Sequence, residues 1–377
     1  MKILHYIDQM EQGDLVSEYV QSLLNDVSGR VEIRLLTATE DVEKTLKDFV
    51  PDVVHVHGCR TKRAAKVVET AHKMEYGILL SPHWQLSQFT SKHEQPFAKT
   101  LQNQWETKAI AAQADALLTT SEDERKEVAQ LAWNSRIEVI KNCHLSTELS
   151  TEEMTMKVGM LYQKIFHTRY RKRMTATDFQ CLHALHYAGL THDKAAKRLS
   201  GDDLVALRKL TPTLLTRLFF FADDENIRSF IDAGIEKLQL NLPHIESNKI
   251  DRYCSLHPKR GEALIDYDAI GQHEKIGEER LFPLLQTALK QAKHQLKEST
   301  FSLRHLTEIY CLLRFNDYNE DELFAFLKRK RLLRFTQRLL FILSEWFYLE
   351  EGFMPFAAIE DKRCQTIKEQ IINRKYY

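Results

Sequence analysis

The sequence predicts a doubly wound α/β domain with a parallel sheet, followed by an all-helical domain. Three observations carry this. Short apolar runs alternate with amphipathic helix patterns over the first 145 residues. After that point the period-two and buried-strand signals fade and helical periodicity takes over. Glycine is scarce, 12 in 377 residues, which leaves few tight turns and favours long helices. A chain of this length exceeds one average domain, and each half is long enough to bury its own core.

The strand runs are Ile3–Ile7, Val31–Leu36, Val53–Val56, Ile78–Leu80, Ala116–Thr119 and Ile137–Ile140. Uninterrupted apolar runs of this length suit parallel strands covered on both faces. Between them, Asp14 can cap a helix running to Val27, and Asp41–Phe49 ends at Pro51. Arg60–Tyr76, Ser91–Ala112 and Ser121–Ala132 complete the alternation. In such sheets ligands bind beyond the carboxyl ends of the strands. Over 146–377 the expected helices are 149–173, 176–188, 192–199, 212–221, 224–237, 272–297, 303–314, 320–330, 333–349 and 357–373. Asp223–Glu225 read as first-turn acids of the helix that follows. Irregular chain at 242–268 divides the helical domain into two subdomains on this reading.

Charge and composition exclude several classes. Basic and acidic residues balance at 53 each, so no global field draws the chain to nucleic acid or an anionic membrane. The six cysteines lie far apart, with no C-x-x-C spacing, and fit a reducing compartment. No P-loop, Ser-His-Asp order or Cys/His metal spacing occurs, so no metal and no cofactor is expected. The opening segment lacks a signal-peptide apolar core and no run spans a bilayer, which makes cytoplasmic the expected location. A helix-turn-helix reading of 176–210 fails for want of base-reading side chains beyond Arg208 and Lys209. The basic runs Arg169–Arg173 and Lys328–Arg331, continued by Arg334 and Arg338, suit a solvated helix face or peripheral contact with anionic headgroups at the inner face of the membrane.

Four segments resemble the N-terminal domain of family 4 glycosyltransferases of the GT-B class: the opening strand, Pro51–Gly58 (PDVVHVHG), Leu79–Trp84 (LLSPHW), and Ala114–Glu122 leading into Arg136–Asn142. The resemblance covers about residues 1–145 and implies a Rossmann-like sheet serving the acceptor side of sugar transfer. A sugar or glycolipid acceptor is the substrate class it implies. His57 lies near a strand end, with Gly58 letting the chain turn close to a ligand, and His83 ends the next strand. On this reading His83 is the catalytic residue, and His57, Gly58, Ser121, Glu122 and Asn142 bind substrate. His55 and His57 are expected on opposite sides of their strand, with His55 in the core. Ser121 and Glu122 also read simply as an N-cap and a first-turn acid.

The chain departs from the family in two places. The loop Gln9–Asp14 has one glycine and two acids, a poor cradle for phosphate. After residue 145 there is no glycine-rich loop and no pair of glutamates eight positions apart, so the donor half is replaced. The functional expectation is a glycosyltransferase-like protein acting in sugar transfer or glycan assembly. A non-catalytic binding or scaffold protein with a relic domain is the alternative. The helical domain is expected to meet a protein partner or a second copy through Phe341, Trp346, Phe347 and Tyr348. Its 333–349 helix is apolar on more than one face, and Arg331, Arg334 and Arg338 at its start are expected to be balanced by a partner's acids or by Glu345 and Glu350–Glu351.

Overall fold

The computed structural model describes residues 1–25, 31–87, 97–146, 148–191, 199–245, 250–253 and 276–373, with side chains throughout except at 97–104 and 278. It divides into two compact units, Met1–Arg169 with Asn248–Tyr253, and Tyr170–Ser247 with Cys254–Tyr377.

The first unit alternates strand and helix: β1 (Lys2–Tyr6), α1 (Leu15–Leu24), β2 (Glu32–Leu36), α2 (Val42–Phe49), β3 (Val53–His57), α3 (Lys62–Lys73), β4 (Gly77–Ser81), α4 (Phe97–Gln113), β5 (Ala116–Thr119), α5 (Glu122–Gln130), β6 (Ile137–Val139) and α6 (Thr151–Thr168). The six strands pair in parallel in the order β2-β1-β3-β4-β5-β6. All six expected strands are present, and the Rossmann-like α/β reading holds. The order reverses between β1 and β3, so the crevice at their carboxyl ends is the topological switch point. Every residue of β3 and β4 is buried. Apolar clusters form on both faces of the sheet, one with Leu46, Val67 and Val68, the other with Tyr19, Val20 and Met154.

Asp14 caps α1 as expected, its carboxylate accepting from Ser17 N at 2.8 Å. Helix α6 lies past position 145 yet belongs to this unit. Met154, Val158, Leu161 and Ile165 join the sheet-covering cluster, and a Ser150–Glu153 capping box starts the helix. The single helix expected over 149–173 stops at Thr168; Tyr170–Arg173 is a 3-10 turn in the second unit.

All regular elements described in the second unit are helical: α7 (Ala176–Leu190), α8 (Gly201–Arg208), α9 (Pro212–Asp224), α10 (Arg228–Lys237), α11 (Glu278–Lys297), α12 (Leu303–Arg314), α13 (Glu320–Arg329), α14 (Leu333–Phe347), α15 (Lys362–Ile372) and short 3-10 turns. The expected helix at 192–199, the first helix of the rejected helix-turn-helix, lies outside the described residues except at its end, as does most of 242–268. Thr211 caps α9 with Pro212 in its first turn.

Asp223–Glu225 do not open the next helix. They close α9, and α10 begins only at Arg228. Acids at a helix C-terminus oppose the macrodipole, and cations and hydroxyls compensate them. Arg171 donates to Glu225 at 2.5 Å, Arg228 to Asp223 at 3.3 Å, and the Tyr170 hydroxyl to Asp224 at 2.8 Å. Glu225 is fully buried and also accepts from Leu303 N at 2.7 Å. It thereby ties the end of α9 to the start of α12. Glu225→Ala would remove the carboxylate that meets the buried Arg171 guanidinium, which also donates to Ile371 O at 3.0 Å. A loss of about 3–5 kcal/mol in urea unfolding of this unit is expected; a loss below about 1 kcal/mol would show that solvent reaches Arg171.

The apolar faces of α14 are covered within the unit. Leu339, Leu340, Ile342, Leu343, Trp346 and Phe347 are buried, and α7, α12, α13 and α15 pack around the helix. Its consecutive apolar residues therefore report a central helix and do not require a partner chain. The compensation expected for its arginines also differs. Glu345 pairs with Lys368, and Arg338 pairs with Asp361 at 2.7 Å. No helix among the described residues is long and apolar enough to cross a membrane.

Candidate functional site

The register of β1 against β3 sets His5 beside His55. Residues two apart on a strand share a face, so His57 joins them. The expectation that His55 and His57 point to opposite sides is therefore overturned: their ring centroids lie 4.0 Å apart. His83 follows the end of β4, one strand over.

These rings form a continuous hydrogen-bonded chain. His83 Nε2 meets His57 Nδ1 at 3.3 Å, and His57 Nε2 meets His5 Nδ1 at 3.0 Å. His5 Nε2 lies 3.4 Å from the Tyr162 hydroxyl, which lies 2.7 Å from His55 Nδ1. His55 Nε2 ends the chain at Ser81 Oγ, 2.8 Å away. Tyr162 comes from α6. Neither it nor His5 was visible as a site residue in the sequence, because their role depends on strand register and on a helix about a hundred residues downstream. The only sequence signal was a histidine on the first strand.

Burial sets the protonation state. His5, His55 and His57 are buried, and His83 is partly exposed. Burial lowers the His5 imidazolium to about 3 and that of His83 to about 4, although the Asp14 carboxylate pulls His83 the other way. His55 and His57 are pushed well below the usual histidine range by burial, then by the neighbouring imidazoles. All four rings are neutral near pH 7.

A neutral imidazole has one donor and one acceptor nitrogen. The chain then has two self-consistent polarities. In one, every ring donates toward Ser81 and His83 Nδ1 is left as an acceptor. In the other, every proton points toward His83, whose Nδ1 carries the hydrogen. His83 Nδ1 has no hydrogen-bond partner among the described residues. A proton accepted there makes His83 an imidazolium, whose Nε2–H donates to the neutral His57 ring. One nitrogen from each of His5, His55 and His57 lies within 4.8 Å of the others. A divalent metal could use these three only by breaking the bonds that now join them.

The backbone around His83 is strained. His83 and Trp84 are consecutive non-glycine residues at left-handed φ, 47° and 64°, where side chains are disfavoured. Glu124, fully buried, holds this turn: it accepts from Trp84 N at 2.6 Å and from Thr120 N at 2.8 Å. The sequence marks Ser121 and Glu122 at this helix start and not Glu124, whose role depends on the His83–Trp84 turn reaching it. Gly58 has φ +90°, and a Cβ there would come 3.1 Å from the Gln85 amide. Gln85 folds over this turn and accepts from Cys59 N at 2.7 Å. Tyr19 packs edge-on against His57 and His83, and its buried hydroxyl has no hydrogen-bond partner among the described residues.

The remaining expected site residues have structural partners. Ser121 caps α5 through Glu124 N at 3.1 Å, and Glu122 on the exposed face pairs with Arg125 at 2.7 Å. Asn142 is buried in the turn after β6, where its side chain accepts from His144 N at 2.9 Å. The structure brings together His57, Gly58 and His83. It places Ser121 at the same end of the sheet through Glu124, with Glu122 on the surface.

Comparison of the chain with curated proteins and with solved structures gives no match. Residues 16–143 match the family model of the glycosyl transferase 4-like domain. That span holds β2–β6, His55, His57 and His83, whereas His5 and Tyr162 of the relay lie in the flanking segments. The first unit of this chain thus carries a glycosyltransferase-like domain of the family 4 N-terminal type.

Proposed function

We propose that the first unit is the acceptor-side half of a sugar-transfer protein, with His83 as the general base toward an acceptor hydroxyl. The observation that carries this is the relay ending at the strand carboxyl termini with an unpartnered His83 Nδ1. Transfer to a hydroxyl requires loss of its proton as the new bond to the sugar forms. A neutral imidazole accepts that proton at Nδ1 while its Nε2–H donates to His57, and the partly exposed His83 releases it to solvent after transfer. Gly58 allows close approach of the acceptor. The Tyr19 hydroxyl is an unpaired polar group beside it.

The test is transfer from a panel of UDP- and GDP-sugars to sugar and glycolipid acceptors. His83→Gln is expected to lower kcat by about 10²–10⁴-fold. Because the base must be neutral, activity is expected to rise with pH through about 4 and then level off. Transfer undiminished in His83→Gln would remove His83 from the chemistry.

A second reading is a glycan-binding protein without transfer. It is favoured by the helical second unit, since a GT-B donor site would be sought in a second Rossmann-like domain. Glycan binding sensitive to Gly58→Val, with no transfer from any donor, would select it.

A further inference from the structure

We propose that the second unit holds a binding site for phosphoryl groups in the concavity between α11, α14 and α15. The cavity has a volume of about 500 Å³, within the range of small-ligand sites. Its walls carry Lys293 and Lys297 from α11, Arg331 and Arg334 at the start of α14, and Arg363 from α15. None of these five forms an ion pair among the described residues. Arg338 is the exception, held by Asp361. A second hollow of about 350 Å³ shares Arg334, Arg338 and Arg363 and adds Lys362 and Asp361, the acid that holds Arg338.

Two buried or half-buried arginines of this unit are matched to acids, Arg217 to Asp178 at 2.9 Å and Arg171 to Glu225 at 2.5 Å. Like charges converging on one hollow repel one another, and among the described residues the one acid paired at its edge is Asp361, held by Arg338. Two backbone features add to the positive potential. Helix α14 starts without a side-chain cap, so its first N–H groups are open to an anion. Arg331 sits at φ 58°, in the link between α13 and α14. Glycine would adopt that conformation without strain, yet a cation is placed there. The chemistry of the lining fits phosphoryl oxygens, which guanidinium groups bind in a forked, charge-assisted manner. Phe335 and Ile367, both buried, give the hollow an apolar floor. The ligand is therefore a phosphorylated compound with an apolar portion, either a soluble phosphorylated molecule or a phospholipid headgroup.

The experiment uses the full chain with two probes: inorganic pyrophosphate by calorimetry, and phosphatidylcholine vesicles with or without phosphatidylglycerol by co-sedimentation. Binding to at least one anionic probe is expected. It should weaken roughly tenfold or more in Arg331→Gln/Arg334→Gln, and also in Arg363→Gln on a different helix. Lys328→Gln/Lys330→Gln, which removes two exposed cations from the end of α13 outside the hollow, should bind as the parent does. Far-UV circular dichroism checks that each variant is folded. Preference for pyrophosphate identifies a soluble ligand, and preference for anionic vesicles identifies a headgroup. No binding to either probe, or equal weakening in the pocket variants and the α13 variant, overturns the site.

Discussion

Gly189→Ala is expected to destabilise the helical unit by about 3 kcal/mol or more, one of the largest single-methyl effects this chain can show. A Cβ built on Gly189 in α7 would lie 1.9 Å from Phe230 O, and one on Gly234 in α10 would lie 2.0 Å from Leu185 O. The obstacles are backbone atoms, so no rotamer change relieves them, and the two helices must move apart. That movement would open the core around Leu185, Ala188, Phe230 and Ile231, all of which are buried. At a few degrees per kcal/mol for a unit of this size, the melting transition should fall by about 10 °C. Gly159→Ala is the internal control. It lies in α6, meets nothing within 4 Å, and should be neutral or stabilising by up to about 1 kcal/mol, because alanine restricts the unfolded chain. Differential scanning calorimetry of both variants decides the matter. Equal melting temperatures would mean that α7 and α10 do not approach this closely.

The contrast between what was and was not legible follows the range of the interactions. The six strands were readable because buried parallel strands are continuous apolar runs, and Pro51–Gly58 marked the strand that borders the switch point. Asp14 as an N-cap was readable because capping involves only residues three apart. The histidine relay was not. It needs the β1–β3 register that places His5 beside His55, and it needs Tyr162 delivered by α6. The shared face of His55 and His57 follows from the two-residue period of a strand, against the expectation of opposite faces. The triplet Asp223–Glu225 misled for a different reason. Acids in the first turn of a helix are the commoner arrangement, and Tyr170, Arg171 and Arg228, brought in from other segments, make them stable at the opposite end. Helix α14 illustrates the same limit: its apolar faces predicted burial, and only tertiary structure shows that burial occurs within its own unit.

Lowering the pH from 7.5 to 5 is expected to weaken the first unit strongly, through the same histidines that form the relay. In the folded chain burial holds His5 near 3 and His83 near 4, with His55 and His57 well below their ordinary value. In the unfolded chain each returns to about 6.5. Below that pH the unfolded state binds protons that the folded state refuses, so stability falls as pH falls. The contribution is fully present above about 6.5. It declines by up to about 1.4 kcal/mol per pH unit for each such histidine. Partial exposure of His83 makes its share the smallest. Carboxylates act in a separate window. Asp14 is held below the usual range by its bonds to Ser17, against the opposing effect of burial, so its contribution is lost only below about 4. Between pH 6.5 and 4.5 the histidines dominate. His183 and His186, buried in α7 and lowered to about 3, impose the same trend on the second unit, so the two transitions must be resolved by urea titration with probes in each. Replacing His57 with asparagine should reduce the pH slope of the first transition by about one histidine's share while leaving that of the second unchanged. A first-unit midpoint constant between pH 7.5 and 5 would mean that these rings accept protons in the folded state, and the neutral relay would then be incorrect.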